Sequence, residues 1–449
     1  MRSIKIFVAM EIKVEYTDKE LTPWGGMVLM KSFLDKLGFK SFTESISILP
    51  IPQSNRGYQP ITVVEAFLVS VWCGANRFLH TEVTRHDGVL ARVFGWKRTP
   101  GQDTFKRFFS KSSFESNHEL SQKLFQWVFQ KVKFDDFTLD CDSTVITRYG
   151  SQSGARKGYN PHKPGRNSHH PIMAFVADIK LVANFWLRSG NSPTAADFAT
   201  FLEDTLEKLY GKTISLLRLD SGFYSKEVFD FVESKNINYV VAARLHRPLQ
   251  KQLAYGQQVW TTLDDGIEIS QSTYQASDWS KARRIIMVRQ RIEQRPKATG
   301  KVLRLFSEDE IVGKYRYSCY FTNLTLPPAE VWRLYRGRAD SENRIKELKT
   351  DFGFDSFNLS NFAGTESAML FVILGYNLMA MFRQFIIGSK VQNTLSTLRY
   401  KTFAVGSYIE ELNGQLILKM SLNLKRREWF TSLWNNSKSR SAPFVFSNA

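Results

Sequence analysis

At residue 134 the hydrophobic pattern of this 449-residue chain switches from helical to strand-like, and that switch limits the folds open to everything downstream. Before it, Ile61–Asn76, Glu82–Phe94 and Ser113–Val132 carry apolar residues at helical spacing, separated by polar loops. After it, Phe137–Thr147 (FTLDCDSTVIT) predicts a strand, and Ile172–Ala177 with Leu181–Leu187 predicts a hairpin turning at Asp178-Ile179-Lys180. A helix over Thr194–Tyr210, a strand over Ile214–Leu219, a helix over Ser225–Ser234 and a strand over Ile237–Ala243 complete the run. Residues 246–322 break the scheme with alternating and apolar runs such as RIIMVR and YRYSCYF, and predict a β-rich insertion. Pro327-Pro328 suits a helix's first turn, and one helix is expected from there to about Thr350. A buried helix is expected over Thr365–Ile387, and the tail from about Asn435 reads as irregular.

Charge narrows the class of partner. Lys and Arg total 61 against 43 acidic residues, a formal +18, and a surplus of this size in an aromatic-rich folded chain favours a polyanion. Cys73, Cys141 and Cys319 lie far apart, which argues against a disulfide framework and a structural zinc site. The seven histidines form no HExxH motif. The amino terminus runs quickly into charges and makes a poor signal peptide. The most apolar stretch, Ala368 to Ile387, includes Tyr376, Asn377, Arg383 and Gln384, so a buried helix is expected rather than a membrane span, and the chain reads as cytoplasmic.

The chemistry-bearing residues begin on the helix after Pro328. Tyr335, Arg338, Glu342 and Lys349 follow the spacing Y-x2-R-x3-E-x6-K, which at about 100° per residue places all four within roughly 60° of one face. Leu334, Ile345, Leu348 and Phe352 form the adjoining apolar stripe. A solvated face with an Arg338–Glu342 ion pair fits the same spacing. Asp142 lies in the first expected strand and Asp220 just beyond Ile214–Leu219. Carboxylates are hard oxygen donors of the kind that hold Mg²⁺, and paired ions activate the attacking oxygen and stabilise the leaving one at phosphorus.

Three strands, a helix, a strand, a helix and a strand is also the order of ribonuclease H-like domains, in which the strands of Asp142 and Asp220 would be neighbours. The strings LDCDST, LRLDSGFYS and YRGRADSENRIKELK resemble the three signature blocks of bacterial insertion-sequence transposases with the Y-R-E-K signature. GARKGYNPHKPGRNSHHP and WLRSGN are similar to the branch called transposase DDE group 1, with likeness over about residues 20–435. The resemblance implies a ribonuclease H-like catalytic core (134–245 and 323–390), a β-rich insertion (246–322), a helical DNA-binding region (1–133) and a helical carboxy-terminal region with an irregular tail (391–449). It implies Asp142, Asp220 and Glu342 as a catalytic, metal-binding triad for two Mg²⁺ ions, with Mn²⁺ as a substitute. Tyr335, Arg338 and Lys349 would contact phosphates beside the cut. An aromatic platform in the insertion, Trp260 or Trp279, would stack on a flipped base, although plain core packing suits either tryptophan. The implied activity is cleavage of element ends and joining to target DNA, by a homodimer on paired ends in a bacterial, nucleoid-associated setting. A nuclease that cuts without joining, and a non-catalytic DNA-binding remnant, are the rival readings.

Further cations are candidate DNA contacts. The loop after the Asp142 strand carries Arg148, Arg156, Lys157, Lys163 and Arg166, with Gly150, Gly154, Gly158 and Gly165 to let backbone approach a phosphate. Arg188 ends a neighbouring strand, and Lys106 and Arg107 sit on a short basic, aromatic helix that suits either recognition or a solvated face. Asp140 shares a strand face with Asp142, so alternation cannot separate them. The resemblance favours Asp142, with Asp140 as a supporting partner or an additional metal ligand.

Overall fold

Strand β1 (Phe137–Ser143) sets the architecture, because its side chains are buried on both faces. Phe137, Leu139 and Cys141 enter the main hydrophobic core, and Asp140 and Asp142 point the other way and are also buried. A computed structural model of the chain describes residues 12–291, 315–388 and 393–446. The strands after β1 are β2 (Ile172–Val176), β3 (Leu181–Trp186), β4 (Ile214–Leu219), β5 (Tyr239–Ala242), β6 (Thr261–Asp264), β7 (Ile267–Tyr274), β8 (Arg283–Arg291) and β9 (Tyr315–Thr322). Together they form one nine-stranded mixed sheet in the order β6-β7-β8-β9-β5-β4-β1-β2-β3. β1, β4 and β5 run parallel, and helices Phe198–Lys208 and Lys226–Ser234 lie in the connections leading into β4 and β5. The molecule is therefore a mixed α/β fold built on one large sheet.

The expected insertion does contain strands, but they extend the same sheet beyond β5, with β9 pairing antiparallel to it. A helix, Arg247–Tyr255, precedes them and was not expected from the sequence. Residues 292–314 of the insertion, like 1–11 at the amino terminus, lie outside the described residues. The strand expected over Phe137–Thr147 ends at Ser143, and Ile146–Thr147 pairs separately with Asn167–His169.

Helix Phe362–Phe382 is long and apolar enough by composition to cross a membrane, yet it is the buried axis of the fold. It packs against β3 and against helices Pro60–Trp72, Gln102–Ser110 and Phe114–Gln130, so the amino-terminal helices share one core with the sheet. Its polar residues have specific partners. β3 is a sheet edge, and Asn377 satisfies its open backbone at Val182, accepting from the N–H at 2.8 Å and donating to the carbonyl at 2.9 Å. Tyr376 donates to the Lys180 carbonyl at 3.1 Å, and Arg383 pairs with the buried Glu347.

The carboxy-terminal region is not purely helical. A hairpin, Ser407–Leu412 with Gln415–Met420, precedes helix Leu424–Ser439. The tail is less irregular than its composition suggests, because Phe444–Val445 pairs in parallel with Val132–Lys133. The single helix expected from Pro328 is two, Pro328–Arg336 and Ala339–Phe352, meeting at Gly337-Arg338. Packing favours glycine at this junction: a Cβ at Gly337 would lie 2.5 Å from Arg218 Nη1, which passes beneath it. Gly337→Ala should destabilise the fold by about 1–3 kcal/mol through overpacking, read by urea unfolding. Wild-type stability in that variant would show that Arg218 moves aside freely.

Candidate active site

The register of β1 and β4 builds the site. Asp140 pairs with Arg218 and Cys141 with Leu219, so the next same-face neighbours are Asp142 and Asp220. One rung thus sets a carboxylate against a guanidinium, and the next sets two carboxylates together. Asp140 accepts from Arg218 Nε at 2.6 Å and Nη2 at 2.8 Å, and Arg218 Nη1 donates to the Leu334 carbonyl at 2.6 Å. That triangle ties both strands to helix Pro328–Arg336. Asp142 has no such partner on β4. Burial pushes its pKa up to about 6; Arg338 pulls down, whereas Asp220 and Glu342 push further up. Asp220 is half-buried just past β4 and accepts from Gly222 N–H at 2.8 Å, which fixes its rotamer.

Helix Ala339–Phe352 brings the third carboxylate. Arg338 is buried; its Nη2 lies 3.1 Å from Asp142 Oδ2 and its Nη1 3.6 Å from Glu342 Oε1. The expected Arg338–Glu342 pair exists, therefore, but as part of a bridge to the sheet rather than on a solvated face. Burial opposes the charge on Arg338, and Asp142, Tyr335, Asp220 and Asp140 raise its pKa. Glu342 itself is 68% exposed along its side chain, so it faces solvent at the rim. Lys349 donates to Thr144 Oγ1 and, at 3.1 Å, to the Val145 carbonyl, holding the chain just beyond β1. Tyr335 packs on Tyr320 of β9 with ring centres 4.5 Å apart, and burial raises its pKa. Among the described residues, no three carboxylate, imidazole or thiol groups gather closely enough to hold a metal ion as they stand.

The sequence profile of the family described as Transposase DDE domain group 1 matches residues 5–440. The chain belongs to that family. A search of curated protein sequences returned no match. Among solved structures, the piggyBac transposase synaptic complex with hairpin DNA is similar at 12% identity and a TM-score of 0.41, covering 86% of this chain and 81% of that one.

Around the three carboxylates, the transposase has supports that its sequence did not announce. His170 is buried, and burial lowers its pKa, so it is neutral at pH 7. Its Nδ1 lies 3.0 Å from the Ser192 carbonyl, which can only accept, so Nδ1 donates. Nε2 is left to accept from Ser143 Oγ at 3.1 Å, next to Asp142. Gly158 and Gly190 lie back to back: a Cβ at Gly158 would sit 1.8 Å from the Gly190 carbonyl. Only glycine permits that approach, which pins the basic loop against the turn after β3.

The candidate DNA-contacting cations of the transposase divide by burial. Arg156, Lys157, Lys163 and Arg166 are exposed, as are Lys106 and Arg107 on helix Gln102–Ser110. Arg148 and Arg188, expected as surface contacts, are buried and bonded within the protein instead. Arg188 donates to the carbonyls of His170, Pro193, Thr194 and Ala196. Arg148 donates to His169 Nδ1 at 3.0 Å and to the Asp355 carbonyl at 2.6 Å. Trp279 is a core residue, packed with Phe321 at 5.2 Å and Phe229 at 5.3 Å. Trp260 is half-buried, with the Arg289 guanidinium 4.4 Å over its ring.

Proposed function

We propose that this transposase cuts DNA at the ends of a mobile element and joins the freed 3′-hydroxyl to target DNA, using one site for both steps. The observation that carries this reading is the nearness of Asp142, at the carboxyl end of β1, to Asp220, just past the carboxyl end of the parallel β4, with Glu342 linked to Asp142 through Arg338. Ligands of open α/β sheets bind at that end of parallel strands. We read β1–β5 and their helices as a ribonuclease H-like core, in which the two aspartate strands are neighbours as they are here. Residues 1–133 would be the helical DNA-binding region, 246–322 the insertion, and the working unit a homodimer on paired ends.

The chemistry of the donor set suits a hard divalent cation, with Glu342 turning in from the rim to complete it. Asp142 holds its proton up to about 6 because burial and two nearby carboxylates disfavour its charge, and a cation would relieve that repulsion. Asp142, Asp220 and Glu342 would hold Mg²⁺, which when bound activates the attacking oxygen and stabilises the leaving one. The side chains supply positioning. Arg338 holds Asp142 and Glu342 in mutual register. Lys349 fixes Thr144 and Val145 and so the exit of β1. Tyr335, braced by Tyr320, would donate its hydroxyl to a phosphate oxygen.

Two measurements test the reading. Purified protein should nick supercoiled plasmid carrying the element's ends with Mg²⁺ or Mn²⁺ but not with EDTA, and should join pre-cut ends to a target. Binding without any metal-dependent cleavage would overturn it. Six exposed cations, Lys106, Arg107, Arg156, Lys157, Lys163 and Arg166, are proposed phosphate contacts. Six such contacts imply that affinity falls on the order of a thousandfold between about 50 and 200 mM salt. A flat salt dependence would remove the electrostatic part of the proposal.

A further inference from the structure

Beside the proposed catalytic site the chain forms a cavity of about 510 Å³ that no step above uses. Val145, held by Lys349, begins its wall, and Tyr149, Gln152, Arg148, Arg77 and Asn358 provide its chemistry. We propose that this cavity is a subsite for one unstacked nucleotide of the DNA strand held at the carboxylates. The inference rests on the reading that DNA is the substrate.

Size and lining both suit a nucleotide. Sites for small molecules run from about 300 to 1,000 Å³, with a few placed polar groups. Tyr149 is 71% exposed, and Lys163 Nζ lies 5.3 Å from the centre of its ring. Exposed aromatic rings with adjacent cations are the elements that bind single strands, by stacking on the base and attracting the phosphate. Arg77 is exposed, and its guanidinium makes no ion pair or hydrogen bond among the described residues. It comes from the loop after helix Pro60–Trp72, so the subsite joins the amino-terminal helices to the sheet.

The buried wall is polar and incompletely satisfied. Arg148 is 4% exposed and its Nη2 has no partner, and Gln152 Oε1 is likewise without one. Gln152 is also oriented, because its Nε2 donates to Asn358 Oδ1 at 3.1 Å. Asp355 is the acidic member of the lining, and it faces Arg148 and Lys349, whose charges it supports. With Arg77 and Arg148 in the lining and Lys163 beside Tyr149, the balance remains cationic.

The test compares a fluorescent oligothymidine strand of about twelve nucleotides with a mixed-sequence duplex of matching length, by anisotropy of the full chain. Tyr149→Ala should weaken binding of the single strand about fivefold or more, with duplex affinity nearly unchanged. Tyr149→Phe keeps the ring and should bind as the wild type does. Arg77→Ala should weaken single-strand binding and lower its salt slope by about one. Equal losses on both probes, or no loss with Tyr149→Ala, would overturn the subsite. Both side chains are exposed, and thermal unfolding of each variant verifies its fold. Wild-type nicking with Mg²⁺ separates the two ideas. Nicking with an unaffected Tyr149→Ala variant sinks the subsite alone. A selective single-strand loss without wild-type nicking sinks the catalytic reading and leaves the subsite standing.

Discussion

Asp142→Asn should cut plasmid DNA about a thousandfold more slowly than the wild type and, above pH 6, melt at a higher temperature. The first effect follows from losing a charged ligand, since a bound metal supplies several kcal/mol of transition-state stabilisation and each 1.36 kcal/mol is about tenfold in rate. The second follows from the cost of the native charge. Burial, with Asp220 and Glu342 adding to it, lifts the Asp142 pKa from 3.8 to about 6 even with Arg338 beside it. The folded state therefore holds this proton more tightly than the unfolded state. Stability from this group is full below about pH 4, is lost as pH rises through the window to 6, and stays lost above it. The shift corresponds to on the order of 3 kcal/mol at neutral pH, which a neutral asparagine does not incur. In metal-free buffer the melting curves of the two proteins should separate at about pH 8 and converge near pH 4. A variant that nicks at the wild-type rate would break the assignment of Asp142. A variant less stable than the wild type at both pH values would show that the Arg338 pair outweighs burial.

Much of this site was legible in the sequence because it rests on strand order and helix spacing. The runs FTLDCDS and ISLLRL have strand period and apolar character, and they became β1 and β4. The helical spacing placed Arg338 and Lys349 toward the sheet and Glu342 at its rim, although the helix is broken at Gly337, because Gly337 and Arg338 both keep right-handed helical torsions. What escaped was pairing between distant segments. Arg218 stands two residues before Asp220 as Asp140 stands two before Asp142, and only the parallel register shows that the two face each other. Arg148 and Arg188 read as solvent-facing because loop cations usually are, yet loop carbonyls in need of donors drew both inside. The polar residues of the long apolar helix were visible as an exception to membrane character, but their partners, such as the open edge of β3, were not. The β-rich insertion was legible as strands, whereas its union with the main sheet depended on β9 finding β5.

That hidden register leads to the second large effect. Asp140→Asn should cost about 3–5 kcal/mol of stability, because removing one member of a buried ion pair strands the other, and Arg218 has no second carboxylate among the described residues, whereas Arg338 keeps Glu342 when Asp142 is changed. Asp140 is 1% exposed, and Arg218 gives it two short bonds while spending its remaining Nη1 on the Leu334 carbonyl. Without the carboxylate, Arg218 keeps a full charge under the junction of the two helices that carry Tyr335, Arg338 and Glu342. The folded fraction should nevertheless cut DNA, since Asp142, Asp220 and Glu342 are unchanged, and activity per folded molecule should stay within about a hundredfold of the wild type, the range for groups that support ligands. Urea unfolding together with nicking normalised to folded protein separates the two quantities. Replacing both partners with apolar residues, Asp140→Leu with Arg218→Met, should recover much of the lost stability, because the desolvation cost of both charges goes with them. If Asp140→Asn keeps wild-type stability and loses cleavage entirely, the carboxylate that acts is Asp140. The Arg218 bridge would then be a pairing that breaks when the site is loaded, and Asp142 would be its support.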